Sequence, residues 1–395
     1  MNSVYRLYPN IQHYAWGGNE YIPQWLGLPP DGQPYAEAWY GAHPTHPSNL
    51  LIEDGVIPLN DWIADHAAEA LGQESVQKYG PRLPFLLKVL DVKDMLSIQL
   101  HPDKAGAMVG FEEENIKGIP LSASHRNYKD DNHKPELLIA LSDFWMLQGF
   151  ENLSVIKDRL ESLVPGFLKQ VSEISWQSLM AKIWSLEEDE KNEWCWQLQT
   201  QLAQAFIEDK KNIRYWLIKA LNTYPPAEGN FDRGLLVMLM MHIHHLKPGE
   251  AGYQAPGVLH AYLEGQNVEL MSNSDNVLRG GLTPKHIDAV ELMKHLNTDS
   301  AGQCILDPMY LMDDEIVFSP PVPDFLIKQF IIQPGTKKLI QFNTASILLS
   351  QHGNLDLEEG NVLPEGDSLF IPAYKLLDVS SVDGMAKFFV ATSII

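Results

Sequence analysis

Residues 96–104 are Leu96-Ser97-Ile98-Gln99-Leu100-His101-Pro102-Asp103-Lys104, a short apolar segment with two polar side chains at its centre. The pattern predicts a strand that Pro102 ends, because proline cannot donate to a ladder of hydrogen bonds. Gln99 and His101 are two residues apart, so on a strand both side chains point to the same face. If that face lines a barrel interior, two polar ligands lie where apolar residues normally pack. Considered alone, a Gln-x-His pair is more typical of a surface or of a hydrogen-bonded pair.

A second polar cluster precedes the apolar run 137–141 and consists of Asp131-Asn132-His133-Lys134-Pro135-Glu136. Pro135 fixes the backbone locally, so the polar side chains enter a predicted strand with alternating orientation. Glu136 offers a carboxylate ligand for a metal ion, whereas His133 and Lys134 offer an acid, a base or a contact to an anion. Considered alone, this segment is more simply explained as a charged loop before a buried strand.

Two further segments contain polar residues in unusual places. His260 lies in the apolar stretch Gly257-Val258-Leu259-His260-Ala261-Tyr262, where a lone histidine is more often a satisfied core residue. Between Glu269 and Arg279 the chain is dense in small polar residues, which suit the rim of a site better than a core. A less favoured group of metal-ligand candidates follows an apolar element and comprises His242, His244 and His245.

The rest of the chain divides by pattern. Residues 1–150 contain short apolar runs between glycine, proline and aromatic residues, which favours strands joined by loops. Residues 151–229 have helical periodicity, shown by Ile156, Leu160, Leu163 and Phe167. The β pattern resumes at 230–300, and 301–395 alternates like a second small β domain. We therefore predict a mainly β chain with an α-helical insertion at 151–229 and a C-terminal β domain at 301–395.

Composition excludes several classes of function. The 395 residues carry a formal net charge of −22, so no basic surface is available for nucleic acid. The longest apolar run, Leu235 to Met241, is too short to cross a bilayer, and the first residues lack the order of a signal peptide. Two cysteines, Cys195 and Cys304, provide neither a cysteine zinc site nor a disulfide framework. We expect a cytoplasmic protein without a nucleic-acid or membrane partner.

Several long motifs in the same order resemble the type I mannose-6-phosphate isomerases, also called phosphomannose isomerases. The match extends over nearly the whole chain. It comprises Tyr14-Ala15-Trp16-Gly17-Gly18, residues 36–44, residues 84–90, residues 96–104, residues 132–137 and residues 273–285. The family belongs to the cupin superfamily, so the resemblance implies a double-stranded β-helix barrel with a helical insertion and a second, C-terminal β domain. The catalytic cupin domain would then comprise residues 1–150 and 230–300.

The resemblance also implies a metal site. Carried over by motif, the ligands of one divalent ion, usually zinc in this family, would be Gln99, His101, Glu136 and His260. Two imidazoles and two oxygen ligands suit zinc, although manganese or cobalt also fit chemically. Leu259 departs from the family, whose members commonly have proline before this histidine.

The reaction implied is the interconversion of mannose 6-phosphate and fructose 6-phosphate through a cis-enediol. It needs ring opening, a base for the C2 proton and an acid–base group for the hydroxyl proton. We expect Lys134 and Glu269 to be the acid–base pair, His133 to assist ring opening, and Arg279 to contact an anionic oxygen, with Asp275 as a further candidate. The candidate contacts to the substrate phosphate are Ser97, Lys88 and Lys104.

Two alternatives remain at this point. A non-catalytic cupin that binds a metal or a sugar would share the ligand set, although Lys134, Glu269 and Arg279 favour catalysis. A cupin isomerase acting on another sugar would share both the ligands and the acid–base groups. We expect a monomer whose partner is a small sugar phosphate.

Overall fold

The computed structural model of the protein describes residues 4–203, 207–298, 305–357 and 360–395. Residues 4–150 form nine strands and four helices. The strands are β1 (Tyr5–Tyr8), β2 (Asn10–Gln12), β3 (Glu37–Tyr40), β4 (Asn49–Ile52), β5 (Gly55–Pro58), β6 (Phe85–Val92), β7 (Ile98–Leu100), β8 (Glu136–Ala140) and β9 (Phe144–Phe150). The helices are α1 (Tyr21–Trp25), α2 (Leu59–Leu71), α3 (Gln73–Tyr79) and α4 (Lys104–Ile116).

A helical region and a return to strands follow. The helices are α5 (Leu153–Leu163), α6 (Trp176–Ser185), α7 (Glu188–Leu202), α8 (Ile213–Thr223) and α9 (Gly234–Met238), with a 3-10 turn at Phe167–Gln170. Four strands and a helix come next, namely β10 (Met241–Leu246), β11 (Ala251–Gln254), β12 (His260–Ser272), β13 (Leu278–Gly281) and α10 (Ala289–His295).

The remaining described residues form eleven strands. They are β14 (Ile305–Leu306), β15 (Met309–Met312), β16 (Glu315–Phe318), β17 (Phe325–Ile332), β18 (Lys337–Phe342), β19 (Ser346–His352), β20 (Leu355–Leu357), β21 (Val362–Leu363), β22 (Ser368–Ile371), β23 (Lys375–Ser381) and β24 (Ala386–Ser393).

The long strand β12 organises the sheet that carries the polar segments. Its C-terminal part pairs antiparallel with β6 on one side and β8 on the other. Its first residue, His260, pairs with β7 and β9. The register with β9 shifts between Tyr262 and Glu264, and such an irregularity bends a strand. The main path runs β14-β11-β8-β12-β6-β3-β2, with β7, β9, β10 and β13 branching from it.

Alternation along β6, β8 and β12 separates an apolar face from a mixed face, on which polar side chains stand among apolar ones such as Leu90 and Leu138. Leu87 and Leu270 are buried in an apolar core shared with β17, β19 and β24. Their sequence neighbours Lys88 and Glu269, together with Glu136 on β8, point to the opposite face and line a cavity. Each buried leucine stabilises the fold by about 1.5–3 kcal/mol, and a slip of one residue would exchange the two faces. The apolar face therefore fixes which side chains enter the cavity.

The second large sheet joins the two ends of the chain. Its order is β15-β16-β17-β24-β19-β22-β1-β4-β5, and Tyr5 of β1 lies opposite Phe370 of β22. Three N-terminal strands therefore complete a sheet that is otherwise C-terminal. A smaller sheet has the order β18-β23-β20-β21. The predicted division of the chain into domains stays a prediction, and its boundary at residue 300 lies outside the described residues.

The helices α5 to α9 pack against the outer side of β9 and β12. Ile156, Leu160 and Leu163 share one apolar cluster with Leu147 of β9 and with Ala261 of β12. Phe167, the fourth residue of the predicted helical pattern, instead begins the 3-10 turn. α5 ends at Leu163, where Val164 already leaves the helical backbone. Gly166, directly before the turn, has a φ of 96°, a region that few residues other than glycine adopt.

These observations confirm a mainly β chain with an α-helical insertion. The double-stranded β-helix stays a prediction, supported by the change of partners along β12 from β7 and β9 to β6 and β8. Within the described parts of the chain, no helix has both the length and the apolar character needed to cross a bilayer.

Candidate metal centre and its cavity

Three predicted ligands meet where their strands begin or end. His101 directly follows β7, whereas Glu136 begins β8 and His260 begins β12. Nε2 of His101 lies 3.3 Å from Oε1 of Glu136, and Nε2 of His260 lies 3.5 Å from its Oε2. All three side chains are buried, and their potential ligand atoms lie within 4.8 Å of one another. Among the described residues, no other group of three or more histidine, cysteine, aspartate or glutamate side chains has this proximity.

Backbone carbonyls orient both imidazole rings. Nδ1 of His101 lies 2.7 Å from the carbonyl oxygen of Asn276, and Nδ1 of His260 lies 3.0 Å from that of Val258. A carbonyl only accepts, so each Nδ1 carries the proton and each Nε2 keeps its lone pair. Both Nε2 atoms are buried without a hydrogen-bond partner in the described structure. Histidine ligands of metal ions are commonly fixed in this way by an outer partner, so the residues fit a cation.

Asn276 connects the support of His101 to the loop before Glu136. Its side-chain oxygen accepts from the backbone nitrogens of Lys129 at 2.7 Å and Asp130 at 3.3 Å. Its amide nitrogen donates to the carbonyl oxygens of Asp130 and Asn132, each at 2.8 Å. Because Asn276 is fully buried, this set of bonds holds the carbonyl that orients His101.

The electrostatic surroundings favour the forms of these groups that bind metal. Burial lowers the pKa of His101 to about 4, and the nearby Lys134 contributes. Burial alone would raise the pKa of Glu136, but Lys134 and His101 outweigh it and hold that pKa well below its usual value. Near neutral pH the imidazole of His101 is therefore neutral and Glu136 is a carboxylate, as coordination requires.

Gln99 lies beside this group. It is opposite His260 of β12 in one register and opposite Arg279 of β13 in the other. Its side chain lines the same cavity as Glu136. An amide oxygen at this position suits a fourth ligand, and that role of Gln99 stays a prediction.

The cavity in front of the three ligands has a volume of about 400 Å³. His101 and His260 are buried behind its surface. Its charged lining comprises four lysine or arginine residues and four carboxylates, so it is balanced although the chain carries a net charge of −22. The predicted site residues in the lining are Lys88, Ser97, Gln99, Lys134, Glu136, Glu269, Asp275 and Arg279.

Lys88 forms a buried ion-pair group with Glu37 and Glu269. Its Nζ lies 3.2 Å from Oε2 of Glu269 and 3.7 Å from Oε2 of Glu37, above the ring of Trp39. The hydroxyl of Tyr262 donates to Oε1 of Glu269 at 2.8 Å. Burial by itself would lower the pKa of Lys88, but the two carboxylates outweigh it and raise that pKa. Burial and the charge of Glu136 raise the pKa of Glu269, against the effect of Lys88.

Arg279 and Lys285 bring two positive charges to the lining of the cavity. Burial lowers the pKa of Arg279. Burial and the neighbouring Arg279 lower the pKa of Lys285. Neither side chain forms an ion pair within the described part of the chain. Two adjacent cations without a carboxylate are a suitable contact for an anion.

Two predicted residues lie elsewhere. Nε2 of His133 lies 3.0 Å from Oδ2 of Asp324, because His133 points to the side opposite Lys134, whose Nζ lies 3.1 Å from Oε1 of Glu136. Nζ of Lys104 donates to the carbonyl oxygen of Asp131 at 2.9 Å. Neither His133 nor Lys104 belongs to the described lining of the cavity.

His43 and Asp275 form a hydrogen-bonded pair at the rim. Nε2 of His43 lies 3.2 Å from Oδ2 of Asp275. The backbone nitrogens of Thr45 and His46 point at Nδ1 of His43, each at 3.3 Å, so Nδ1 is the acceptor and Nε2 carries the proton. Burial would raise the pKa of Asp275, but the bond from His43 lowers it below its usual value.

Three side chains of the site were not singled out in the sequence, namely Glu37, His43 and Lys285. They lie in the segments 36–44 and 273–285, which carry the family resemblance, but no local pattern distinguishes them from surface residues. The histidines of β10 are not at a metal centre. His242 contacts Glu151 at 2.8 Å, and His245 contacts Asp143 at 2.8 Å and stacks on Trp145.

A buried His-Glu-His group beneath a charged cavity in an antiparallel fold defines a mainly β metalloenzyme. A sequence profile described as phosphomannose isomerase type I, catalytic domain, matches residues 4–153. The chain is 34% identical over 381 residues to the mannose-6-phosphate isomerase of Escherichia coli (strain K12), covering 93% of this chain and 94% of that one. It belongs to the type I mannose-6-phosphate isomerase, or phosphomannose isomerase, family, so the resemblance is confirmed.

More distant organisms and solved structures agree. The mannose-6-phosphate isomerase of Schizosaccharomyces pombe is 32% identical over 418 residues, which cover 96% of this chain and 97% of that one. A solved mannose 6-phosphate isomerase from Salmonella typhimurium, bound to substrate (f6p) and zinc, superposes with a TM-score of 0.88 at 33% identity over the whole of both chains. Another, bound with zinc and yttrium, has a TM-score of 0.88 at 32% identity, again over the whole of both chains.

Proposed function

We propose that this protein is a zinc-dependent isomerase that interconverts mannose 6-phosphate and fructose 6-phosphate. The observation that carries the proposal is the orientation of His101 and His260, whose free Nε2 atoms converge on Glu136 at the base of a cavity. Relatives that match 93% and 96% of this chain are named mannose-6-phosphate isomerase. The similar Salmonella typhimurium structure is described as bound to f6p and zinc.

His101, Glu136, His260 and Gln99 would hold the ion. When bound there, a divalent ion supplies a Lewis acid that polarises a carbonyl and orients neighbouring oxygens. The set contains no thiolate, which agrees with zinc in a catalytic site. The carbonyl bonds to both Nδ1 atoms keep the ring planes fixed, so the residues need little rearrangement to bind the ion.

Lys134 and Glu269 are the proposed acid–base pair. Both line the cavity close to Glu136, and the raised pKa of Glu269 brings its proton exchange nearer to neutral pH. One of the two takes the C2 proton of the open-chain aldose and returns it to C1, while the other moves the hydroxyl proton between O1 and O2. The reaction then gains and loses no atom. His133, which was expected to assist ring opening, is left out of the proposal, because its side chain contacts Asp324.

Arg279 and Lys285 are the proposed contacts to the phosphate, with Ser97 nearby in the lining. A phosphate dianion would relieve the repulsion between the two cations. The guanidinium of an arginine can donate two parallel hydrogen bonds to two oxygens of one phosphate. Lys88 is already matched by two carboxylates. Lys104 is bound to the loop at Asp131, so neither is included in the proposed phosphate site.

The proposal also covers the domain organisation, the oligomeric state and the location of the protein. The barrel is a cupin domain of residues 1–150 and 230–300, with a helical insertion and a C-terminal β domain. The enzyme acts as a monomer, because one chain supplies every residue of the proposed site. Two cysteines in 395 residues favour the cytoplasm, and the net charge of −22 disfavours nucleic-acid partners.

Metal analysis combined with a coupled assay on mannose 6-phosphate tests the proposal. We expect about one zinc per chain and turnover of mannose 6-phosphate but not of free mannose. His101→Ala should lose both zinc and turnover, whereas His245→Ala, a histidine outside the cavity, should keep both. Zinc without turnover of any sugar phosphate would identify a non-catalytic binding protein, and equal turnover of mannose would identify an isomerase of a different sugar.

A further inference from the structure

Asp232 lies outside the cavity lining, two residues before α9, and accepts three backbone hydrogen bonds. Its Oδ1 accepts from the nitrogens of Gly234 and Leu282, each at 2.7 Å. Its Oδ2 accepts from the nitrogen of Thr283 at 2.9 Å. The first bond is local, whereas the other two join the end of the helical region to the segment after β13. Bonds to a charged acceptor are stronger than bonds between neutral groups.

Close backbone packing fixes the same segment. Leu282 has a φ of 54°, a region that side-chain-bearing residues rarely adopt. A Cβ added to Gly281 would lie 2.3 Å from the Cα of Gly234, and one added to Gly234 would lie 2.6 Å from the nitrogen of Leu282. Only glycine fits at both positions. The turn at 281–283 therefore depends on its contact with the start of α9, and Asp232 supplies the hydrogen bonds of that contact.

The turn separates the two cations of the cavity. Arg279 precedes it on β13 and Lys285 follows it, and both line the cavity together with Thr283. Like charges repel, so a turn that was free to move would let Lys285 swing away from Arg279 into solvent. The fixed turn opposes that movement before any anion is bound.

We propose that Asp232 is a positioning residue that holds Arg279 and Lys285 at the spacing required by the anionic end of the substrate. This inference rests on the proposed function and deepens it. Asp232 itself does not contact the substrate. It acts through the backbone at Leu282 and Thr283, and its effect should appear in the binding of the phosphate group rather than in the proton transfer.

Steady-state kinetics of the zinc-loaded enzyme separate this role from a purely stabilising one. A contact made equally in the ground state and the transition state changes KM with little change in kcat. Because misplacement by about 1 Å costs up to about 100-fold, we expect Asp232→Ala to raise KM for mannose 6-phosphate by about tenfold. We expect kcat to stay within about threefold and zinc content to stay unchanged.

Asp232→Asn and Asp288→Asn are the matched variants. Asparagine at position 232 keeps one acceptor oxygen for Leu282 but turns an amide nitrogen toward Thr283. The KM of Asp232→Asn should therefore lie between that of the wild type and that of Asp232→Ala. Asp288 accepts from the nitrogen of Glu291 at 2.9 Å, which caps α10 outside the cavity lining. Asp288→Asn keeps an acceptor for this cap and should leave KM unchanged. An Asp232→Ala enzyme with unchanged KM, or one whose only defect is lower stability, would overturn the inference.

A double-mutant cycle with Lys285→Ala tests whether Asp232 acts through that cation. If it does, Asp232→Ala should raise KM much less in the Lys285→Ala background than in wild type. If the increase in KM in the double variant equalled the product of the increases in the two single variants, the inference would be overturned. Failure of the wild type to turn over mannose 6-phosphate would refute the proposed function instead. In that case, ³¹P NMR titration with inorganic phosphate still tests the role of Asp232. If Asp232 holds the two cations in place, both Asp232→Ala and Lys285→Ala should bind phosphate more weakly than the wild type.

Discussion

Replacing Lys88 with methionine should destabilise the fold, because it removes the only cation from the buried group of Lys88, Glu37 and Glu269. Lys88 is 6% exposed, and its Nζ lies 3.2 Å and 3.7 Å from the two carboxylates. At an effective dielectric constant of about 20, each attraction is worth roughly 5 kcal/mol. The desolvation of the ammonium offsets several kcal/mol of this gain. Loss of one partner of a buried pair typically costs about 3–5 kcal/mol, and we expect that range here.

The loss of folding stability caused by Lys88→Met should depend on pH. Lys88 lowers the pKa of Glu269, which burial and Glu136 raise, so Lys88→Met should raise that pKa further. Folded Glu269 then binds a proton at pH values where the unfolded carboxyl, with a pKa of about 4.3, is ionised. Stability therefore falls as pH rises through the raised pKa. The loss should be larger at about pH 8 than at about pH 5.5.

Urea unfolding of the metal-free protein at both pH values measures this effect. Lys88→Met/Glu269→Gln should recover part of the lost stability, because it removes one of the two unpaired carboxylates. Lys247→Met is the control, since the Nζ of Lys247 pairs with Asp143 at the surface and such pairs contribute about 0–1 kcal/mol. If Lys88→Met changed the free energy of unfolding by no more than Lys247→Met at about pH 8, the account of a matched buried cation would be wrong.

Three further predictions concern the residue that fixes His101, the apolar core and a buried histidine of β10. Asn276→Ala should weaken zinc binding by about 10–100-fold in chelator competition, because it frees the carbonyl that orients His101; unchanged affinity would contradict this. Leu87→Ala should lower the free energy of unfolding in urea by about 2–5 kcal/mol while zinc content is retained. Burial and His242 lower the pKa of His244 in the folded protein to about 4. The same imidazole in the unfolded chain takes up a proton at about pH 6.5, so the free energy of unfolding falls as the pH drops below about 6.5. His244→Gln should make that acid loss of stability shallower in urea unfolding at successive pH values.

Strand alternation accounts for much of what the sequence predicts about the site. Gln99 and His101 were expected on one face, and Gln99 does lie beside the ligand group that contains His101. The same rule separates Lys134 from His133, because adjacent residues point to opposite faces. Lys134 reaches Glu136, whereas His133 reaches Asp324. Applied strictly, alternation would have placed only one of these two residues in the cavity.

Long-range pairing accounts for much of what the sequence could not predict. The carbonyl that orients His101 belongs to Asn276, 175 residues away, and β1 completes a sheet with β22, more than 300 residues further along the chain. Lys104 resembles a phosphate ligand in sequence, but it begins α4 and contacts Asp131 and Asn132. Local propensity contains no information on such partners, because register and bends decide them only after the sheet has formed.

The charges of the cavity bear on both the proposed metal ion and the proposed role of the turn at 281–283. Its lining balances four lysine or arginine residues with four carboxylates, in a chain whose net charge of −22 repels anions. Glu136 and Glu269 neutralise the inner lysines Lys134 and Lys88. A divalent ion held by two neutral imidazoles would make the inner end positive, as the oxygens of an open-chain sugar require. Arg279 and Lys285, the other two cations of the described lining, are the proposed contacts to the phosphate, so we expect the position of the turn between them to affect phosphate binding.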